Sequence, residues 1–584
     1  MRIHDFENIK NDIKLKLEWE NEVNTEFKVF KYLSENNVEL PLDYMAYPWA
    51  LLIDYYNIKF CKEFYSLYDF IKKLNLIEEV NDKGYITTVQ SYHFKKFIPD
   101  FKKMGIKFIF SPHITKSDFY DIYYQFNIKV FPFLIYPSIT TNELIPKKNI
   151  LYNFIGNVKY NMEKPTIIRN KISNLNHPNN TIIKTFDEWH FNKSIYGNQL
   201  GFLETNTNEI KDKLEREEFY RDKMMKSKFC ICPLGIGPNS IRLWECFNYK
   251  TIPVLVSDDL WLPFYIDFNW SDIIIKIREK DIEDILNLEN MMEDKINSMI
   301  KFGEEFNNRY LIENKFGNII ELAFTNNDKF NLLIPWYNII DELRYKEIHF
   351  CLEKNLENQN IKKIILFYES DELSKIDFKK YNNPKIEIIP IITSYKRDIT
   401  FNRMVSYANN CKLNQLCIIS NNDIYFDDSL QEVYKLNFYK ENYFVALTRK
   451  NYDDYLDSNN NIWKPHPASQ DSWIFRSPIK KMYNEINLGW IQCDNIIAEN
   501  YNSMGYFVVN PHFSVNAWHV HKYNITNSLI KNFNYDYKFK LKPVKLMKID
   551  EILNPIPEKK SNYSLNLKKL SKLKTNWKND FNSL

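Results

Sequence analysis

The chain has 584 residues, of which 44% are hydrophobic and 26% are charged. This length exceeds a single domain of about 150 residues and predicts several domains, and the composition excludes disorder for the bulk of the chain. The net charge of +3 is too close to neutral for a protein whose main partner is a nucleic acid, so none is expected.

The eight cysteines form no CxxC pair, which argues against a zinc site or a disulfide framework. Residues 1–22 are charged throughout and lack the apolar stretch of a signal peptide. No run of about 18 apolar residues predicts a membrane span. These observations together predict a cytoplasmic protein without a transmembrane segment.

Charged and apolar residues at helical spacing predict a helical lead-in over residues 1–80. Short β-like runs then alternate with helical ones, which predicts parallel sheets and the α/β class. The predicted strands after the TTVQ run near residue 88 cover residues 106–114, 130–137, 150–158, 181–186, 228–235 and 252–258.

A long polar helix is predicted over 278–310, and NNDKF at 326–330 interrupts the pattern. The alternation then restarts, so the sequence divides into a domain over 81–327, with its second lobe over about 150–325, and another over 328–545. The elements predicted for the latter are strands 330–335, 362–369, 385–391 and 416–420 and helices 340–357 and 401–410.

The final segment, 546–584, predicts a basic amphipathic tail with apolar residues at helical spacing among lysines. Two interpretations are open for this tail. It could dock on the body of the protein, or it could make peripheral contact with anionic lipid at a membrane.

The segment KSKFCICPLGIGPNSIRLWECFNYKTIPVLVSDDLWLPF, residues 226–264, predicts a strand, a glycine loop and a helix. Gly235 and Gly237 would let the backbone approach a ligand, and Asn239 and Ser240 are predicted N-caps of a helix that starts at Ile241. The free N–H groups and positive dipole end of such a helix favour a diphosphate.

Arg242 lies in the first turn of this helix, where its guanidinium could clamp phosphate oxygens. Glu245 lies three residues on, where its carboxylate could accept hydrogen bonds from both hydroxyls of a ribose. An ordinary Arg–Glu pair on a strand-loop-helix unit is the open alternative.

This segment resembles the donor-binding segment of exostosin-like glycosyltransferases, and TVQSYHFKK (88–96), FSPHIT (110–115) and YNFIGNV (152–158) resemble other parts of that family. The resemblance implies a GT-B fold, in which two Rossmann-like lobes face each other and the second binds a nucleotide sugar without a cofactor. The implied donor contacts are Gly235, Gly237, Asn239, Ser240, Arg242 and Glu245. His113 and Asp54 are candidate general bases.

In LCIISNNDIYFDDSL, a predicted strand runs into Asn421, Asn422 and Asp423. Parallel α/β folds bind ligands at this edge, and the position resembles that of the Asp-x-Asp metal motif of GT-A glycosyltransferases. The resemblance implies Mn²⁺ or Mg²⁺ at Asp423 and a donor contact from Asn421. The open alternative is that Asp423 is an ordinary acidic residue in a turn. Asp427 and Asp428 are predicted to cap the helix that follows.

The run GWIQCDNIIAENY (489–501) resembles part of the hexosaminyltransferase domain that follows the GT-B domain in exostosins. The resemblance implies that Asp494 is the catalytic acidic residue beneath the reacting sugar and that Arg403 binds the diphosphate. In NPHFSVNAWHVH (510–521), strand alternation predicts that His519 and His521 share a face, where they could complete the metal site. Asp471 and Trp473 are candidate acceptor contacts.

The leading hypothesis is an α/β glycosyltransferase, with a GT-B-like pair of Rossmann-like lobes followed by a GT-A, or nucleotide-diphospho-sugar transferase, domain. It would be bifunctional and transfer sugars, expected to come from UDP-sugars, to a glycan or lipid-linked acceptor in polysaccharide or surface-glycan synthesis. Two alternatives are open. Only the GT-B module could be active while the other binds acceptor, or the chain could be a non-catalytic sugar- or nucleotide-binding scaffold.

Overall fold

A computed structural model of the chain describes residues 25–74, 84–159, 162–186, 207–263, 265–266, 268–324, 329–393, 398–410, 414–452, 467, 469–488, 493–520 and 544–554. The described residues form α-helices around four β-sheets, two of which are wholly parallel. The α/β class predicted from the alternation of elements is therefore confirmed.

The first sheet is parallel, with strand order β1-β2-β3-β4. Its strands are β1 (Asp43–Tyr44), β2 (Tyr85–Thr88), β3 (Ile106–Ser111) and β4 (Lys129–Pro132), and its helices are α1 (Thr25–Glu35), α2 (Trp49–Tyr55), α3 (Leu67–Lys73), α4 (Ile98–Lys103) and α5 (Lys116–Phe126). The described part of the predicted lead-in pairs with this sheet through β1. Val29 and Trp49 lie in the same hydrophobic core as Phe108.

The second sheet is also parallel, with strand order β6-β5-β7-β8-β9. Its strands are β5 (Ile150–Asn157), β6 (Ile182–Phe186), β7 (Ser227–Pro233), β8 (Ile252–Val256) and β9 (Ile275–Ile277). Its helices are α6 (Glu163–Ser173), α7 (Thr207–Lys226), α8 (Ile241–Asn248), α9 (Glu293–Phe306), α10 (Glu313–Phe316) and α11 (Asn318–Phe324). Strand β8 is buried along its whole length, as expected for a parallel strand that is covered on both faces.

Several predicted elements differ from the structure, and the two largest differences are in β4 and in the helix predicted after β9. Strand β4 ends at Pro132 instead of continuing to residue 137, and the predicted helix 278–310 is interrupted. That region contains a 3-10 helix (Ile282–Asn290), then α9 and a π-helical turn (Asn307–Leu311). Buried Ile282, Ile285 and Leu288 recur every three residues, which is the 3-10 period, and the extended backbone of Met292 separates this turn from α9.

The third sheet has seven strands in the order β12-β11-β10-β13-β17-β15-β18. Its strands are β10 (Phe330–Tyr337), β11 (Ile361–Ser370), β12 (Ile386–Ile392), β13 (Leu416–Ser420), β15 (Tyr443–Thr448), β17 (Gln470–Arg476) and β18 (Phe507–Val509). Strands β10 to β13 are parallel, whereas β17 runs antiparallel to both β13 and β15. Separate hydrophobic clusters cover the two faces of the sheet.

A small sheet of β14 (Ile424–Phe426), β16 (Lys450–Asn451) and β19 (Ala517–His519) lies beside the third sheet. The helices of this region are α12 (Glu342–Glu357), α13 (Phe401–Asn410), α14 (Cys493–Ser503) and α15 (Ile549–Leu553). The remaining turns are 3-10 helices at Tyr92–Phe97, Trp270–Asp272, Leu373–Lys375, Phe378–Tyr381 and Asp428–Lys435, and a π-helix at Tyr56–Phe60. Asp427 accepts a hydrogen bond from the Ser429 amide, as predicted for a cap.

Hydrogen bonds connect the first sheet's helices to the third sheet. The Tyr123 and Tyr506 hydroxyls lie 2.8 Å apart, and the Tyr124 hydroxyl donates to the Lys481 carbonyl over 3.1 Å. Tyr439 also contacts Phe108, with 6.3 Å between ring centroids. Among the described residues, no strand pairing joins residues before 328 to residues after it.

Among the described residues, no helix has both the length and the apolar character needed to cross a membrane. The predicted basic tail begins within the described residues, where α15 forms, but its apolar positions from 570 to 581 lie outside them.

Candidate active sites

The glycine loop connects β7, which ends at Pro233, to α8, which begins at Ile241. The Gly235 amide donates to the Gly237 carbonyl over 3.1 Å, which makes the loop a tight turn. Ser240 stands at the N-cap position with extended backbone, but its side chain makes no capping hydrogen bond. The N–H groups at the start of α8 are therefore not satisfied by this side chain.

Asn239 connects the glycine loop to the first sheet instead of capping α8. Its amide nitrogen donates to the Pro112 carbonyl over 3.1 Å, and its amide oxygen accepts from the Trp244 indole over 3.0 Å. The prediction of N-caps is therefore confirmed for the position of Ser240, which precedes Ile241, and wrong for Asn239. Asn239 instead holds the end of β3 against the loop after β7, so the carboxyl ends of the two parallel sheets meet here.

Gly237 faces His113, which also follows β3. A Cβ added at residue 237 would lie 2.3 Å from the His113 Nδ1 atom, closer than side-chain atoms approach, so only glycine fits. Nδ1 is buried and has no hydrogen-bond partner among the described residues. Burial, together with Lys95 and His93, lowers the pKa of His113 to about 3, which keeps the imidazole neutral.

Arg242 lies in the first turn of α8 and points to the end of β5. Its Nη2 donates to the Ile155 carbonyl, and its guanidinium carbon lies 5.7 Å from the centre of the Phe154 ring. A Cβ at Gly156 would lie 2.8 Å from Nη2, so the glycine makes room for the guanidinium. The buried Nε and Nη1 atoms of Arg242 have no hydrogen-bond partner among the described residues.

Arg169 is a second arginine at the same strand ends, and the sequence analysis missed it. Its guanidinium donates to the carbonyls of Asn157 and Leu234, each over 2.9 Å, and to that of Pro233 over 3.3 Å. It thereby fixes the end of β5 and the start of the glycine loop. The signal in the sequence that could have identified Arg169 is helical spacing, which places it beside Ile168 on the face of α6 that is buried in the structure.

Glu245 is buried on α8, and both of its carboxylate oxygens have partners. One accepts from the Ser138 hydroxyl over 2.7 Å and the Ile139 amide over 3.1 Å, and the other accepts from the Tyr220 hydroxyl over 2.7 Å. Burial raises the pKa of this carboxyl above its ordinary value. These three hydrogen bonds leave few acceptor sites on the carboxylate for a ribose, and the predicted ribose contact stays a prediction.

Asp54, the other candidate general base, lies on α2. Burial raises its pKa to about 6, and it acts electrostatically on Glu26. Glu26 accepts hydrogen bonds from the Ala50 and Gln90 amides and so connects α1 to the first sheet. Of the two candidates, His113 is the one that contacts the glycine loop.

At the carboxyl end of β13, Asn421 and Asp471 form a hydrogen-bonded pair. The Asn421 amide nitrogen donates to one Asp471 oxygen over 2.7 Å, and Arg449 lies 2.8 Å from the other. The strand ends therefore bring together a predicted donor contact and a predicted acceptor contact. The roles of Asn421 and Asp471 in binding stay predictions.

Asp494 lies in the first turn of α14, next to this pair. One of its oxygens accepts from the Gln470 amide over 3.1 Å. Burial, and secondarily the neighbouring charge of Asp471, raise the pKa of Asp494 to about 6. The three polar residues Asn421, Asp471 and Asp494 thus converge on one edge of the third sheet, as parallel-strand topology favours.

Asp423 is also buried and lies beside His519 and Arg344. His519 Nε2 lies 3.4 Å from its Oδ2, and Arg344 Nη2 donates to the same oxygen over 2.5 Å. Burial acts to raise the pKa of Asp423, but hydrogen bonds and charge from His519 and Arg344 hold it well below its usual range. Oδ1 of Asp423 is buried with no hydrogen-bond partner among the described residues.

These atoms fit a divalent cation in part. An unpartnered carboxylate oxygen beside an imidazole is a donor set that suits Mn²⁺. However, Arg344 already supplies a positive charge to the other oxygen of Asp423, which lowers the attraction for a second cation. Arg344 was missed in the sequence, although Asp341, which caps α12, marks the start of its helix.

The remaining predicted residues are Trp473, Arg403 and His521. Trp473 is fully buried, and its ring packs edge-on against Phe401 with centroids 5.5 Å apart. A ring with no exposed surface cannot stack on a sugar, which corrects the acceptor assignment of Trp473. Arg403 lies on the exposed side of α13, and His521 lies outside the described residues.

Comparison with protein families matches residues 120–292 to the exostosin GT47 domain. This range covers about 30% of the 584 residues and contains the glycine loop, Arg242 and Glu245. The match therefore includes the segment whose sequence resembles the exostosin donor-binding region.

Among curated relatives, the chain is 44% identical over 71 residues to a probable glucuronosyltransferase from Oryza sativa subsp. japonica, covering 12% of this chain and 17% of the relative. It is 41% identical over 68 residues to the probable beta-1,4-xylosyltransferase IRX10L from Arabidopsis thaliana, covering 12% and 16%. The chain thus spans less than a fifth of the length of these relatives.

Among solved structures, S. aureus TarS 1–349 in complex with UDP-GlcNAc is 10% identical, with a TM-score of 0.25 over 33% of this chain and 59% of that one. A mannosyltransferase from Pyrobaculum calidifontis is 11% identical, with a TM-score of 0.22 over 34% and 57%. Scores this low do not establish a shared fold. The domain match and the named relatives show that a segment of the chain is similar to exostosin-like glycosyltransferases.

Proposed function

We propose that this chain transfers sugars from nucleotide-sugar donors to a glycan acceptor in polysaccharide synthesis. In this proposal, residues 81–327 form a GT-B module and residues 328–545 form a GT-A module. The observation that carries the proposal is Arg242, whose buried Nε and Nη1 atoms have no partner among the described residues, at the glycine loop of the segment matched to GT47.

In the first module, the donor diphosphate would lie between the start of α8 and the Arg242 guanidinium. The two guanidinium donors of Arg242 that have no partner in the described part of the chain, and the positive dipole end of a helix, suit diphosphate oxygens. Since buried polar groups in native proteins are rarely left without partners, a bound anion would satisfy Arg242. The ribose would then approach Glu245 on the same helix.

The proposed reaction in the first module uses the neutral imidazole of His113. The acceptor hydroxyl oxygen forms a bond to the anomeric carbon of the donor sugar while the bond from that carbon to the diphosphate oxygen breaks. The hydroxyl proton passes to Nδ1 of His113, which is buried and accepts no hydrogen bond from the residues that the structure describes. A pKa of about 3 in the free protein makes His113 a weak base, so we expect the negative diphosphate nearby to raise that pKa when donor binds.

In the second module, Asp423 Oδ1 and His519 are the described groups that would hold Mn²⁺ or Mg²⁺. Such an ion, when bound, would neutralise charge on the departing diphosphate. Asn421 would contact the donor, Asp471 the acceptor, and Asp494 would lie beneath the reacting sugar. With a pKa of about 6, Asp494 is ionised at neutral pH and could stabilise positive charge at the anomeric carbon.

The Arg344–Asp423 ion pair favours a second candidate function. If Arg344 satisfies Asp423 permanently, the second module has no strong metal site and would serve to bind acceptor for the first module. The two proposals differ in their response to metal, because only the first predicts that part of the activity depends on Mn²⁺. A scaffold without turnover is the third candidate, and it predicts no product at all.

The test is a panel of UDP-sugars and oligosaccharide acceptors incubated with the purified full chain, with Mn²⁺ or with a chelator, and read by mass spectrometry. Arg242→Ala is expected to remove transfer by the first module, and Asp494→Asn transfer by the second. Arg278→Ala, an exposed arginine paired with Asp281, is the matched control. Absence of product with every donor would reject a glycosyltransferase function.

A further inference from the structure

Three cysteines meet behind the glycine loop. Cys230 and Cys232 lie two residues apart on β7 and therefore point to the same face of the second sheet, and Cys246 lies on α8, which packs on that face. Their sulfur atoms all lie within 4.8 Å of one another. All three residues are fully buried.

The sulfur spacing suits ligands of one ion. The Cys232 and Cys246 sulfurs are 3.9 Å apart. Two thiolates that share a zinc ion at about 2.3 Å each stand roughly 3.8 to 4.0 Å from one another in tetrahedral or trigonal geometry. The Cys230 thiol also donates to the Asn153 amide oxygen over 3.3 Å.

The charges around the cluster favour an anionic occupant. Arg242 and Lys148 both act electrostatically on these thiols, and Glu245 acts on Arg242. Lys148 donates to the Tyr249 carbonyl over 2.7 Å but has no carboxylate partner among the described residues. Burial lowers the pKa of Lys148 to about 7, so Arg242 is the group beside the cluster that stays fully charged at neutral pH.

We propose that Cys230, Cys232 and Cys246 bind one soft metal ion, Zn²⁺ or Cu⁺, through three thiolates. Each thiol releases one proton, so a complex with Zn²⁺ carries a charge of −1 and one with Cu⁺ a charge of −2, from the ion charge and three thiolates. Either complex places negative charge beside the Arg242 guanidinium. The ion would tie β7 to α8 and so fix the helix that carries Arg242 and Glu245.

The test measures metal content and does not depend on sugar transfer. The reduced full chain is stripped with a chelator, and Zn²⁺ or Cu⁺ is then added under anaerobic conditions. Binding is followed by thiolate-to-metal charge-transfer absorption and by mass spectrometry of the metal content, and competition with a chromophoric chelator gives the affinity. We expect one equivalent of one of the two ions, and comparing the two titrations identifies which.

Cys230→Ser, Cys232→Ser and Cys246→Ser are each expected to weaken binding at least tenfold. Cys417→Ser, a fully buried cysteine on β13 in the third sheet, is the matched control and should bind as the unaltered chain does. If a cluster variant fails to fold, X-ray absorption of the metal-loaded unaltered chain decides, because the proposal requires three sulfur neighbours. Absence of binding by the unaltered chain, equal binding by the cluster variants, or fewer than three sulfur neighbours would overturn it.

Discussion

The Cα of Gly237 lies directly against the imidazole of His113, so close that a Cβ would stand 2.3 Å from Nδ1. One residue follows β7 of the second sheet and the other follows β3 of the first. The absence of a side chain at residue 237 therefore sets how closely the carboxyl ends of the two sheets approach. In the proposed function, this is also where donor and general base meet.

Gly237→Ala is expected to displace His113 and to lower the free energy of unfolding by about 1 to 3 kcal/mol, as overpacking does elsewhere. Thermal and denaturant unfolding would measure the loss. The double variant Gly237→Ala/His113→Ala removes the clash and should recover most of the stability but not the transfer activity. Equal loss of stability in the single and double variants would contradict this account of the contact.

Arg242→Lys is expected to reduce transfer by the first module about 100-fold, the usual effect of removing one transition-state contact. A lysine keeps the positive charge, but it lacks the planar fork that can bond the Ile155 carbonyl and a diphosphate together. Steady-state kinetics with the best donor would measure the effect. Arg278→Lys should retain full activity, and similar losses in the two variants would argue against a specific role for Arg242.

Asp494 gives a pH dependence whose sign follows from its pKa, which rises from 3.8 to about 6. Between these values the folded chain keeps a proton that the unfolded chain has lost, so stability falls as pH rises through this window. The free energy of unfolding should fall by up to about 3 kcal/mol in total across this window. Denaturant unfolding at pH 4 to 7 should show a smaller fall in stability for Asp494→Asn than for the unaltered chain, because Asp54, whose pKa burial also raises to about 6, contributes equally in both.

The transfer rate of the second module should also depend on the ionisation of Asp494. If the ionised carboxylate serves the second module, that module's transfer rate should fall about tenfold for each pH unit below about 6. Asp272→Asn, which alters an exposed carboxylate of the Trp270–Asp272 turn, should leave both profiles unchanged. A rate that stays constant down to pH 4 would show that Asp494 need not be ionised.

Arg344→Ala is expected to destabilise the chain by about 3 kcal/mol, because it leaves Asp423 buried with only His519 to compensate its charge. If Asp423 and His519 can hold a divalent ion, Mn²⁺ should recover part of this loss in the variant and raise its melting temperature. Differential scanning calorimetry with and without Mn²⁺ would measure both effects. The double variant Arg344→Ala/Asp423→Asn should show no response to Mn²⁺.

Much of the fold could be predicted from the sequence, because local patterns determine single elements. The strand ending at Pro233, the helix starting at Ile241 and the restart of the alternation near 330 all agree with the structure. The helix predicted over 278–310 was wrong, since the three-residue spacing from Ile282 to Leu288 fits a 3-10 turn as well as an α-helix. Periodicity alone does not separate the two over so short a run.

The sites were harder to predict, because side-chain partners are set by contacts between distant elements. Nothing local in the sequence shows that Arg344 reaches Asp423, 79 residues away, or that Arg169 bonds to the Leu234 carbonyl, 65 residues away. The cysteine spacing likewise gave no sign of the cluster, because Cys246 joins β7 from a helix. Sequence motifs indicated the strand ends that carry the sites, but not which side chains compensate each other's charge.

The hydroxyl contact between Tyr123 and Tyr506 has an evolutionary consequence. Both tyrosines are buried, and the neighbouring Lys480 amide donates to the Tyr506 hydroxyl over 2.8 Å. A gene rearrangement that exchanged either half for a homologue would leave these polar groups facing an unmatched surface. The two halves should therefore be inherited together, and substitutions at the two tyrosines should be correlated across descendants of this gene.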